Sequence, residues 1–170
     1  ILLPRAFVRR AATDAKAQSA KLQQLRRRMR TEWLPRVLEE WDLARPEGGL
    51  PQPTAAEAGV VAHVDCSLVL GVELGVVPPA LRVLRMGDTL ARTLGTTAMG
   101  ELPIEGSVVL GSLGSAYRRV LRSGFPSYEY FRYSFGDGSP GEFERLILPA
   151  SADGKNVSHL IGVVVVSSNP

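Results

Sequence analysis

The stretch Glu142-Phe143-Glu144-Arg145-Leu146-Ile147-Leu148-Pro149 and, after a short turn, Leu160-Ile161-Gly162-Val163-Val164-Val165-Val166-Ser167 decides the fold. Both runs have strand length and are rich in aliphatic and β-branched residues. Asp153-Gly154-Lys155-Asn156 between them is hairpin turn chemistry. A third strand, Pro126–Phe135, precedes them across Gly136-Asp137-Gly138-Ser139-Pro140-Gly141. The three make an antiparallel meander, so the C-terminal third is a sheet.

Working upstream, Val108–Leu121 predicts a helix with Val109, Leu113, Tyr117 and Val120 or Leu121 on one stripe. Gly95–Glu105 reads as loop. Thr89–Leu94 allows one or two helical turns after the Gly87-Asp88 break. Leu68–Glu73 and Leu81–Met86 read as strands, with Val76-Val77-Pro78-Pro79 as the turn region. Residues 46–59, rich in Pro, Gly, Ala and Glu, read as a linker. Residues 1–45 form a helical arm in two pieces. Thr13 or Asp14 can cap the first piece, and Pro35 suits the first turn of the second. Leu22, Leu25, Met29 and Trp33 make one stripe on the first piece; Val37, Leu38 and Trp41 face inward on the second. The expected division is arm 1–45, linker 46–59 and core domain 60–170.

The chain has 170 residues, 45% apolar and 22% charged, which suits one soluble domain with an arm. It excludes a disordered chain, a collagen and a disulfide scaffold. Ile1-Leu2-Leu3 runs at once into Pro4-Arg5, without the apolar core of a secretory leader, and no run reaches membrane-span length. With Cys66 as the one cysteine, no internal disulfide forms, and the expected compartment is the reducing cytoplasm. Net charge is +3, but residues 1–45 carry eleven basic and five acidic side chains, so the remainder is net negative. Of the 20 basic residues 17 are Arg, a bias that a GC-rich genome explains without any role in binding phosphate.

The ordered set Trp41-Asp42-Leu43-Ala44-Arg45, Gly48-Gly49-Leu50-Pro51, Gly87–Gly95 with Gly100-Glu101-Leu102-Pro103, Leu146-Ile147-Leu148-Pro149, and Asp153-Gly154 with His159-Leu160-Ile161-Gly162 resembles a PAS-like family. Its members are mostly alphaproteobacterial single-PAS proteins with a helical N-terminal lead, and the resemblance spans residues 36–167. Gln52-Pro53-Thr54 and Ala150 depart from its pattern. The resemblance implies an α+β PAS fold: a five-stranded antiparallel sheet with helices on one face. It also implies a sensor or interaction module that binds a small molecule or partner and signals through N-terminal helices or dimer contacts.

Tested motif by motif, the chemistry is sparse. The region Gly87–Glu105 lacks the reactive cysteine of a flavin photosensor, and Cys66 reads as a small inert side chain. Residues 108–121 lack a haem-ligating His; His159 is the better of two poor candidates, the other being His63. Flavin and haem are therefore not expected, and no cofactor is named. Glu142 and Glu144 alternate on a strand face without matching His, which reads as a solvated face rather than a metal site. Gly111-Ser112-Leu113-Gly114-Ser115 misses the spacing of a nucleophile elbow, and Gly106–Gly114 lacks the Lys-Ser/Thr of a phosphate loop. No enzyme is expected.

The stretch Phe125–Phe135 holds six of the eleven aromatics. Period two puts Phe131, Tyr133 and Phe135 with Glu129 on one face, and Tyr128, Tyr130 and Arg132 on the other. Its main reading is core plus a dimer-contacting sheet face. A ligand pocket lined by Tyr117, Tyr130 or Arg132 is a second expectation. The arm stripe Leu22, Leu25, Met29 and Trp33 has no evident home within the chain, which predicts a homodimer. The leading functional expectation is thus a cytoplasmic PAS sensor or adaptor acting through dimerisation and a signalling partner. A competing one is a nucleic-acid or acidic-membrane binder using Leu25-Arg26-Arg27-Arg28-Met29-Arg30. A third is a PAS fragment of a longer signalling protein.

Overall fold

The arm consists of α1 (Arg5–Arg28) and α2 (Leu34–Leu43), joined by a short break at residues 29–33. A computed structural model describes residues 5–47, 49–73, 79–94, 100–101, 108–134, 138 and 140–168. Because α1 runs unbroken from Arg5, Thr13 and Asp14 lie inside it rather than at its start. Pro35 does stand in the first turn of α2, where it forfeits no helical hydrogen bond. The expected linker is more ordered than its composition suggested. It contains α3 (Pro53–Ala58), whose Ala56 is buried, and a 3₁₀ turn at Val61–Cys66 follows it at the start of the expected core.

The core follows as β1 (Ser67–Glu73), β2 (Ala80–Met86), α4 (Asp88–Leu94), β3 (Gly100–Glu101), α5 (Val108–Ser123), β4 (Ser127–Ser134), β5 (Pro140–Ala150) and β6 (His159–Ser168). The sheet order is β3-β2-β1-β6-β5-β4, and every neighbouring pair is antiparallel. This is the α+β PAS arrangement expected from the element order: two strands, a helical crossover, and a meander whose last strand lies beside the first. The two-residue β3 is the one strand not anticipated. The turn regions 76–78, 95–99, 102–107, 135–137 and 139 lie outside the described residues.

Strand alternation sorts the sheet into two faces. On the inner face Leu68, Leu70, Leu81, Val83, Phe143, Ile147, Leu160 and Val164 pack with Leu90 of α4 and with Ala116, Tyr117 and Val120 of α5. On the outer face Val69, Tyr128, Leu146, Leu148, Ala150, Ile161 and Val163 pack with Leu22, Leu34, Val37, Leu38 and Trp41 of the arm and Ala56 of α3. Helices therefore cover both faces, not one. The arm supplies the second layer, because a meander this apolar on both faces leaves an outer surface that water would penalise. Leu84 does not fill the interior; it is 41% exposed and lies over Gly71.

Candidate functional site

Two polar constellations interrupt these apolar layers. On the outer face Glu144 is only 5% exposed although it is a carboxylate. Its oxygens accept hydrogen bonds from the Arg30 amide at 2.8 Å, the Thr31 amide at 3.1 Å, the Thr31 hydroxyl at 2.6 Å and the Tyr128 hydroxyl at 2.9 Å. Arg30 and Thr31 are the break between α1 and α2, where backbone N–H groups lack helical partners. The carboxylate thus pins the bend of the arm to the middle of the sheet. Burial works against the charge of Glu144, but the donors from Thr31, Arg30 and Tyr128 outweigh it and hold the carboxyl below its ordinary pKa. The Tyr128 phenol moves the opposite way, pushed up by burial and by Glu144.

Further contacts flank this clamp. The Arg30 guanidinium lies 3.7 Å from the Tyr130 ring centroid, and the Tyr130 hydroxyl donates to Glu142 at 2.7 Å. That hydroxyl, with Arg132 nearby, holds the Glu142 carboxyl below the usual range. Trp33 stacks on His63 with centroids 3.6 Å apart, and Arg26 pairs with Glu39 at 3.0 Å. The Trp41 indole N–H donates to the Pro149 carbonyl at 2.8 Å. The sequence reading took Glu142 and Glu144 for a solvated face. For Glu144 the structure corrects this, because the arm covers the strand.

On the inner face Arg145 is fully buried, ion-paired with Glu129, with its guanidinium 5.6 Å from the Tyr117 and Phe143 ring centroids. Arg119 near the surface binds the same Glu129 carboxylate. Tyr117 is also fully buried, and its hydroxyl has no hydrogen-bond partner among the described residues. Burial pushes its pKa up to about 12, with Arg145 acting against the shift and Glu129 adding to it. It is a protonated donor at any physiological pH.

The expected ligand residues are not brought together. Tyr117 belongs to the inner layer, whereas Tyr130 and Arg132 share the outer parity of β4, with Arg132 exposed and paired to Glu142 at 3.4 Å. The sheet stands between Tyr117 and the other two. The arm stripe does have a home within the chain. Leu22 is 5% exposed, and Leu25, Met29 and Trp33 pack against the outer-face core of the same chain. The sequence missed this because stripe and sheet lie more than a hundred residues apart.

Of the titratable candidates, His159 shares outer-face parity with Ile161 and Val163 and contacts the Ser158 hydroxyl at 2.9 Å through Nδ1. It does not face α5. Cys66 closes the 3₁₀ turn, half-buried, its thiol pKa raised by burial and then by Asp65. No group of three or more potential metal ligands occurs among the described residues. No helix among them is long and apolar enough to cross a membrane.

No family model and no curated protein matches the chain. Among solved structures, the PAS domain from Bordetella pertussis BvgS is similar at 15% identity and a TM-score of 0.48, covering 65% of this chain and 82% of that one. A PAS domain from Colwellia psychrerythraea is 13% identical with a TM-score of 0.43, covering 66% and 94%. The Rhodobacter sphaeroides LOV protein is 11% identical with a TM-score of 0.42, covering 81% and 68%. These three solved structures are PAS or LOV domains.

Proposed function

We propose that this chain is a PAS-type sensory or adaptor module whose N-terminal arm is the signalling element, acting through dimerisation and a protein partner rather than by catalysis. The observation that carries the reading is the Glu144 clamp, a buried carboxylate spent on fixing the bend of the arm. A purely structural arm would need only its apolar stripe. A hydrogen-bonded latch over that stripe gives two arrangements, docked and released, separated by few contacts. Release would free Leu22, Leu25, Met29 and Trp33 for a second copy or a partner. The inner cluster of Tyr117, Arg145 and Glu129 would be the place where a small molecule is sensed. The alphaproteobacterial single-PAS family, a cytoplasmic location and the absence of flavin and haem remain part of this proposal. The nucleic-acid or membrane reading stands second, because Arg26 and Arg30 are engaged with the chain's own Glu39 and Tyr130.

The test is hydrogen exchange across residues 16–41 in wild type and Glu144→Gln, with light scattering on the same samples. The expected result is at least tenfold faster exchange in the variant and a changed monomer–dimer balance, with the core sheet still protected. Unchanged exchange and oligomeric state in the variant would refute the latch.

A further inference from the structure

An open groove of about 420 Å³ runs between α1 and the C-terminal half of α5, floored by the start of β4. A second compartment of about 400 Å³ continues it, sharing Lys21, Arg119, Phe125 and Ser127. Lys21 and Arg28 line it from the arm and Arg119 from α5. Seven residues separate the first two, two helical turns, so both project from one face of α1 about 10 Å apart along its axis.

Their charges are poorly answered. Neither Lys21 nor Arg28 has a carboxylate within 4 Å among the described residues; each lies instead over a ring, Phe125 at 5.9 Å and Tyr128 at 5.8 Å. Glu129 is the one acidic side chain in the lining, and it is already shared between Arg119 and the buried Arg145. The groove is therefore cationic at both ends, with the part-exposed ring of Phe125 lining it as well.

We infer that this groove docks an extended acidic segment of a partner protein, carrying two carboxylates four residues apart on one side of the strand with an apolar side chain midway between them on the same side. An extended chain advances about 3.3 Å per residue and turns alternate side chains to opposite sides, so carboxylates at a spacing of four lie about 13 Å apart on one side, within reach of the long Lys21 and Arg28 side chains. The intervening side chain lies on Phe125. The open groove suits a peptide strand better than a compact ligand, which would be enclosed on most sides. This rests on the adaptor reading above and names the chemistry of its partner, but it does not require the arm to release.

The test is fluorescence anisotropy of a labelled Gly-Glu-Ser-Leu-Ser-Glu-Gly peptide, up to 1 mM, against the full chain. Controls are a peptide with adjacent glutamates, poly-glutamate and ATP. Expected are at least fivefold weaker binding in Lys21→Gln and in Arg28→Gln, and tighter binding of the spaced peptide than of its control. Affinity should fall as salt rises. Phe125→Ala should weaken the spaced peptide with the salt slope unchanged. Lys21→Gln and Arg28→Gln should keep the wild-type melting temperature within 3 °C, whereas Phe125→Ala, whose ring also packs against the outer-face core, melts lower and is titrated well below its midpoint. No binding of the peptide, equal binding of both spacings, or binding of ATP alone would overturn the inference. A Glu144→Gln variant that binds the peptide normally while its arm exchange is unchanged would sink the latch and leave the groove standing.

Discussion

The Tyr117 hydroxyl occupies the space that a Cβ at position 162 would need. A methyl built on Gly162 would overlap Tyr117 Oη and lie 3.1 Å from Cζ. Gly162 sits mid-strand between Leu68 of β1 and Ile147 of β5, where glycine normally weakens a sheet. Here it lets α5 approach closely. Gly162→Ala should therefore cost about 1–3 kcal/mol by overpacking. Tyr117→Phe removes a buried hydroxyl without a partner and should be neutral or slightly stabilising. The double variant should recover part of the Gly162→Ala loss, since the ring carbon stays close. Urea midpoints of the four proteins would check this, and strict additivity would contradict the packing relationship.

Glu144 makes the docking of the arm depend on acid. Its folded pKa lies below the ordinary carboxylate value, so its contribution is complete above about pH 4.5 and is lost as pH falls through the folded value. Glu142 and Asp153 shift in the same direction and add to the acid sensitivity. Glu144→Gln should cost about 2–4 kcal/mol at pH 7, because it weakens bonds to a buried charge from four donors. The wild-type advantage over the variant should shrink as pH falls from 5 to 3. A constant difference across that range would show that the ionised form is not what holds the bend.

How much was legible follows from the range of each signal. Strand period, turn residues and helical stripes are local, and they located β1, β2, α4, α5 and the meander to within one or two residues. The faces of β4 were legible too: Tyr128 packs outward with Leu146, and Phe131 stacks on Phe143 of the inner layer at 4.6 Å. What covers the outer face was not legible, since nothing local in Leu22 or Trp33 says that they meet β4, β5 and β6. For the same reason Glu144 read as solvated, although its parity on β5 puts it on the outer face, across from Tyr130 and diagonal to Tyr128. Arg145 had a usable signal. It shares parity with Phe143 and Ile147, and a guanidinium on an apolar strand face requires a partner, which is Glu129 directly across the ladder.

Trp41 ties the second arm helix to the sheet. It is 1% exposed, and its indole N–H reaches the Pro149 carbonyl. Trp41→Phe keeps most of the packing but leaves that carbonyl without the donor, an expected cost of about 1–3 kcal/mol. Trp41→Ala should cost about 3–5 kcal/mol through the cavity it leaves. Thermal melts with exchange mapping would show whether the loss concentrates in α2. Equal costs for the two variants would mean that the ring packing contributes nothing.

Gly87 marks a junction where backbone meets backbone. A Cβ there would overlap the Val64 carbonyl oxygen and the carbonyl group of Asp65, neither of which can swing aside as a side chain would. The Gly87 amide also donates to the Ser67 carbonyl at 2.9 Å, and its own carbonyl accepts from Ala91 as α4 begins. One residue therefore joins the end of β2, the start of α4 and the 3₁₀ turn that leads into β1. Gly87→Ala should cost about 3 kcal/mol or more, at the upper end of overpacking because the obstacle is main chain. By contrast Gly154→Ala meets open space and is penalised only by its positive φ of 75°. That strain of about 1–2 kcal/mol should leave it clearly the milder variant. Chemical denaturation of the pair would test the ranking, and an equal or reversed order would mean that β2 and α4 do not depend on this close approach.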